Sequence, residues 1–242
     1  MAGRALPPGQ CQTNCRPSSP ARSRLAPLTA WCVSRALFRS QVLACGVLPM
    51  LAQLLRSDKR DIKKEAGWML SNITAGSAAQ IDAVCASGCM QQLRHLVEVE
   101  EFDVKKEAAY ALCNACIGGM PATASGLVSI GILPTLVRLL DSPDADLLLY
   151  VVDAMQAILA AAEAGDPSRG VALVVEQLET AGGCVKLESL REHENAAVYQ
   201  KANWLLETYF AETDEPTSVP TATADGYSFG VPAVLPALHF GR

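Results

Sequence analysis

One segment of this chain is written twice. Lys63-Lys64-Glu65-Ala66-Gly67-Trp68-Met69-Leu70-Ser71-Asn72-Ile73 returns as Lys105-Lys106-Glu107-Ala108-Ala109-Tyr110-Ala111-Leu112-Cys113-Asn114-Ala115. The displacement is constant: Lys63 and Lys105, Glu65 and Glu107, and Asn72 and Asn114 are each 42 residues apart. Apolar residues inside both copies recur at helical spacing, so the repeating unit is built of helices. A unit of about 40 residues cannot bury its apolar face alone, and its stable solution is a stack in which each unit covers the next. The fold class that follows is all-α.

A period of this size with helical texture belongs to solenoids of the HEAT/armadillo kind. On a helix, at about 100° per residue, Glu65, Trp68 and Asn72 fall within roughly 60° of one another. Ile62, Ala66, Met69, Leu70 and Ile73 fill the neighbouring arc and read as the face packed on adjacent repeats. An acid, an aromatic and an amide therefore form one stripe beside a buried face. It reappears a repeat later as Glu107, Tyr110 and Asn114. Equivalent positions of successive repeats line up along one concave surface.

That ladder has a chemistry. Asn amides both donate and accept, so a column of them can pair with the backbone of an extended peptide. Aromatic rings between the amides make slots for lysine or arginine stems, with cation–π attraction of about 0.5–2 kcal/mol per contact. Glu65 and Glu107 supply the opposite charge at the slot ends. The expected ligand is an extended, basic peptide. A lone Trp in a helix is ordinarily core and a lone Glu a solvated face, so the weight falls on the second copy in register.

The charge distribution suits that ligand. Six arginines and no acids lie in the first forty residues, which leaves fourteen basic against 25 acidic residues beyond. An acidic solenoid attracts basic partners and excludes the reverse preference, for nucleic acid. No uninterrupted apolar run approaches the roughly 20 residues of a membrane-spanning helix. Nine cysteines include a Cys113-x-x-Cys116 pair, but it has no second pair or histidine near it and no strand before it. It reads as packing inside the second ladder helix, in a reduced, intracellular compartment. The three histidines are far apart in sequence, His95 reads as an ordinary helix-face residue, and no phosphate loop or nucleophile elbow occurs.

The wording Lys-Lys-Glu-Ala-x-Trp-x-x-Ser-Asn-Ile-Thr-Ala-Gly at Lys63–Gly76, with its second copy, closely resembles importin-α (karyopherin-α), the armadillo-repeat adaptor of nuclear import. His193-Glu194-Asn195-Ala196-Ala197-Val198-Tyr199-Gln200-Lys201-Ala202, closing on Glu207-Thr208-Tyr209-Phe210, resembles that family's last repeat. The likeness runs from about Gln41 to Phe210. It implies a right-handed armadillo superhelix of about four repeats over residues 41–211, with no catalytic role and no cofactor or metal. It implies recognition of basic nuclear localisation signals, with Glu65, Trp68, Asn72, Glu107, Tyr110 and Asn114 at positions of the family's minor cargo groove. Tyr110 departs from the Trp expected there and offers a smaller, less electron-rich face. The resemblance also implies that Gly182 to Phe210 contributes to an export receptor of the importin-β superfamily, and that the protein shuttles between cytoplasm and nucleus. The family's basic importin-β-binding segment and principal groove are not visible, so the chain reads as a truncated or divergent member from which importin-β binding is not expected. The rival reading is an armadillo scaffold outside transport that binds another extended peptide. Neither involves nucleic acid or membrane.

The rest of the chain arranges itself around these landmarks. Residues 1–40, Arg- and Ser-rich without acids, have the look of a disordered leader, of an organelle transit peptide, or of sequence outside the repeat array. Gly46 to Leu55 and Gly131 to Leu140 match as second helices, with Pro49 and Pro134 two periods apart, and Ser87 to Val97 opens a repeat between them. Ser57-Asp58-Lys59 is the turn before the first ladder helix, which ends at Gly76 or Ser77. The third ladder helix, Asp146 to about Ala162, sets Asp153 where Trp68 stands and Ala157 where Asn72 stands, so both rungs are lost and Asp153 reads as solvated. Val171 to Thr180 is a further helix. In the last repeat Trp204 takes the aromatic position, packed against the end of the array, and Thr208 replaces Asn. Residues 212–242 read as a disordered tail, in which Gly226-Tyr227-Ser228-Phe229-Gly230 is similar to some importin-α tails.

Overall fold

The computed structural model describes residues 39–210, 221–223 and 226–228. Helical residues 39–44, α1 (Val47–Leu54) and α2 (Arg60–Thr74) make the first repeat. The second is α3 (Ala78–Ala86), α4 (Cys89–Val99) and α5 (Phe102–Gly118). The third is α6 (Pro121–Ser129), α7 (Ile132–Leu139) and α8 (Ala145–Gly165). The fourth is α9 (Arg169–Thr180), α10 (Gly183–Ser189), a 3₁₀ turn at Leu190–Glu192, and α11 (Ala196–Leu205), which runs into a π turn at Leu206–Phe210. The ladder helices α2, α5 and α8 recur near the expected spacing, but Ser87 to Val97 does not open a repeat: α3 does, and Cys89–Val99 is the second helix of that unit.

The same corner recurs before the second helix of each repeat. Gly46, Gly88, Gly131 and Gly182 have φ of 69°, 78°, 83° and 81°, a left-handed conformation that glycine adopts without the steric cost borne by other residues. Other boundaries are set by side chains. Asp144 accepts from the Leu147 amide at 3.0 Å to start α8, and Asn195 accepts from the Ala197 amide at 2.9 Å to start α11. These bonds satisfy amides that the first helical turn leaves without partners. Pro121 opens α6, where its missing N–H costs nothing.

The long third helices carry the stack. α2 packs along α5, α5 along α8, and α8 along α11. Leu70, Leu112, Val151, Met155 and Val198 are fully buried between them. Each such aliphatic side chain contributes about 1.5–3 kcal/mol when removed from water. Ion pairs cross the same boundaries: Arg60 with Asp103 at 2.7 Å, Lys63 with Glu100, Lys106 with Asp144, and Lys186 with Asp141 at 2.6 Å. Partly exposed pairs of this kind are worth about 0–1 kcal/mol each, so burial holds the array together. α8 is long and apolar enough, by length and composition, to cross a membrane. Its buried residues are packed on α5, α6, α7, α9 and α11, however, which makes it the central core helix of the array.

Residues 1–38, the seat of the expected leader or transit segment, lie outside the described residues, as do most of residues 212–242. Within the expected disordered tail, β1 (Thr221–Thr223) pairs antiparallel with β2 (Gly226–Ser228), Thr221 opposite Ser228. Part of the Gly226 to Gly230 motif is thus a strand.

Candidate peptide-binding groove

The third helices present their polar stripe along one side of the stack. On α2, Ala66, Leu70 and Ile73 are buried while Glu65 is exposed and Trp68 remains 52% exposed. Helical geometry puts Asn72 one turn beyond Trp68 on the same face, and its Nδ2 donates to the Trp68 carbonyl at 2.8 Å. On α5, Glu107, Tyr110 and Asn114 are all half-buried. Asn114 reaches back across the repeat boundary, its Nδ2 donating to the Ser71 carbonyl at 3.1 Å. That bond fixes the orientation of the carboxamide and uses one of its two N–H groups. The two stripes meet where Gly67 faces Glu107: a Cβ on Gly67 would lie 3.3 Å from the Glu107 Cβ. Trp68, Asn72, Glu107 and Asn114 thereby stand on adjoining faces of neighbouring helices.

The groove's electrostatics follow from this packing. Burial pushes the Glu107 carboxyl above the usual carboxylate range, and Glu65 and Asp103 push the same way, against Lys64 and Lys106. Burial, followed by the charges of Asp144 and Asp146, raises the Tyr110 phenol.

Three residues that shape the later rungs escaped the sequence reading. Tyr150 on α8 meets Tyr110 edge-on, with ring centroids 5.1 Å apart and planes at 82°. The Lys106 ammonium lies 5.8 Å from the Tyr110 centroid and is paired with Asp144. Asp153 is not a solvated aspartate: it is paired with Lys201 of the next repeat. Counting offers the missing signal. Glu65 stands three residues before the Trp68 rung, and the same offset from Asp153 and Trp204 gives Tyr150 and Lys201. Trp204 packs edge-on against Tyr209 of the closing turn, with centroids 6.0 Å apart, and remains 43% exposed.

Cys113 and Cys116 are buried inside α5. Desolvation pushes the Cys116 thiol up to about 12 and the Cys113 thiol well above its ordinary value. Both shifts run against the thiolate that nucleophilic chemistry requires. Among the described residues no cluster of three or more His, Cys, Asp or Glu side chains is placed to hold a metal ion. His95 is exposed on α4.

Comparison with known proteins identifies armadillo repeats at both ends of the array. The Armadillo/beta-catenin-like repeat family model matches residues 38–75 and 77–117, and the Atypical Arm repeat model matches residues 172–223. Importin subunit alpha-4 of Arabidopsis thaliana is 40% identical over 165 residues, 67% of this chain and 31% of the relative. Importin subunit alpha-1a of Oryza sativa subsp. japonica is 38% identical over 184 residues, 73% of this chain and 34% of the relative. The chain thus spans about a third of the length of these curated relatives. Among solved structures, a computationally designed armadillo repeat protein for modular peptide recognition superposes with a TM-score of 0.63 at 27% identity, covering 71% of this chain and 68% of that one. Sequence motifs, helix order and the family models converge: the chain belongs to the armadillo-repeat proteins, and it is similar to importin subunits alpha over about a third of their length.

Proposed function

We propose that the solenoid is a nuclear import adaptor of the importin-α kind, which binds an extended basic peptide of the nuclear localisation signal class along α2 and α5. The observation that carries this reading is the large indole of Trp68, left in solvent beside Asn72 and adjoining Glu107 and Asn114. The indole face takes the stem and charge of a lysine or arginine, the carboxylate of Glu107 neutralises it, and the amides hold the peptide backbone extended. An excess of acidic residues beyond the arginine-rich start favours the same ligand. The likeness to importin subunits, and to a design made for modular peptide recognition, supports the assignment. By the same likeness the last repeat engages an export receptor of the importin-β superfamily, and the protein shuttles between cytoplasm and nucleus.

The test is a fluorescence anisotropy titration with a labelled lysine-rich localisation peptide and its lysine-to-alanine counterpart. Binding that disappears with the lysines supports the adaptor. Binding indifferent to the lysines makes the protein an armadillo scaffold for another extended ligand, and no binding removes the peptide reading.

A further inference from the structure

Each rung of the stripe faces a residue from the following repeat, and that residue changes character along the array. The position three residues before the rung holds Glu107 in the second repeat, Tyr150 in the third and Lys201 in the fourth. An acid thus adjoins the Trp68 helix, a phenol meets Tyr110, and an ammonium meets Asp153. Toward a cationic ligand this sequence runs from an acid, through a neutral ring, to a carboxylate already paired within the chain.

We propose that the groove offers its open cation slot at Trp68 and Glu107, and that Tyr150 and Lys201 close the next two rungs from within, so that the ligand carries one short basic cluster rather than a long basic array. This rests on the peptide-binding reading above and adds the residues that set its specificity. At the second rung the Tyr150 and Tyr110 rings already pack edge-to-face on each other, and the Lys106 ammonium lies 5.8 Å from the Tyr110 centroid. A ligand lysine arriving there meets a like charge held in place by Asp144. At the third rung the carboxylate of Asp153 is already neutralised by Lys201. A salt bridge formed inside the chain leaves little for an incoming cation to gain, because the incoming ion has to displace a tethered one. Tyr150 and Lys201 act on the ligand by position and charge; no chemistry is asked of them.

The experiment is an alanine scan of a labelled, glycine-flanked tetralysine peptide against the full chain, read by fluorescence anisotropy. In the wild type one lysine, or two adjacent ones, is expected to be sensitive, with losses of about 3- to 30-fold when replaced. The remaining positions change binding less than about threefold, the low end of the cation–π range. Tyr150→Glu restores the acid found at the equivalent place in the preceding repeats and is expected to create a further sensitive lysine and tighten binding. Tyr150→Phe keeps the ring and leaves the scan unchanged. Lys201→Gln, which frees Asp153 without touching a buried residue, gives a gain at the third rung and covers the case in which Tyr150→Glu fails to fold. A wild-type scan with sensitive lysines spread along the whole peptide overturns this inference while leaving the peptide reading intact. So does a folded Tyr150→Glu protein with unchanged binding. Failure of every basic peptide to bind overturns both.

Discussion

Trp68 is a large ring left half in water on a helix whose neighbouring apolar residues, Ala66 and Leu70, are sealed. Removing a core Trp costs about 3–5 kcal/mol, because a cavity is left behind; removing this one leaves no cavity. Trp68→Ala is therefore expected to weaken binding of a basic peptide by about 3- to 30-fold. The thermal midpoint in a circular dichroism melt should hardly move. Glu107 adds a pH dependence with a definite sign. Its raised pKa means that the folded chain holds the proton more tightly than the unfolded one. The group therefore favours the fold most below the ordinary carboxylate value, and this contribution is lost as pH rises through the raised one. A bound cation prefers the ionised form, so peptide affinity should fall as pH is lowered from neutrality into the acid range. Glu107→Gln should flatten that profile in an anisotropy titration. The stripe itself was legible in the sequence because its members lie on one helix, where spacing dictates direction. Tyr150, Lys106 and Lys201 were not, because their effects arise only when one helix is laid beside the next.

At the scale of the element, the third helices combine a guarded start with a narrow line of approach. Asp144 caps α8 through the Leu147 amide and also receives Lys106 from the preceding repeat. Asp144→Ala removes both, and unfolding in urea should show a loss of about 0.5–2 kcal/mol, the range for a lost cap. A side chain at Gly67 would meet Glu107 and the Ala108 backbone. A Leu there would push the helices apart and is expected to cost about 1–3 kcal/mol through overpacking, measured the same way. The position and order of these helices followed from periodicity, since a face of Ala66, Leu70 and Ile73 admits few alternatives. The tail did not: a composition of Thr, Ala and Gly gives no apolar face, and the β1–β2 pairing joins backbone groups that the residue pattern does not advertise.

For the molecule as a whole, the ion pairs named above reach only into the adjoining repeat, so stability is a sum of local terms and is lowest where a repeat lacks a neighbour. Hydrogen exchange is expected to be slowest in α5 and α8, which are covered on both sides, and faster in α1 and α11. The excess of acidic residues predicts a salt response as well: peptide association should slow and weaken as ionic strength rises and the Debye length contracts. The corner glycines carry a wider consequence. Gly46, Gly88, Gly131 and Gly182 are invariant within this one chain, while the rung residue passes through Trp68, Tyr110, Asp153 and Trp204. Architecture and vocabulary are thus stored in separate letters, so evolution or an engineer can respell what the protein reads, one storey at a time, on an unaltered frame.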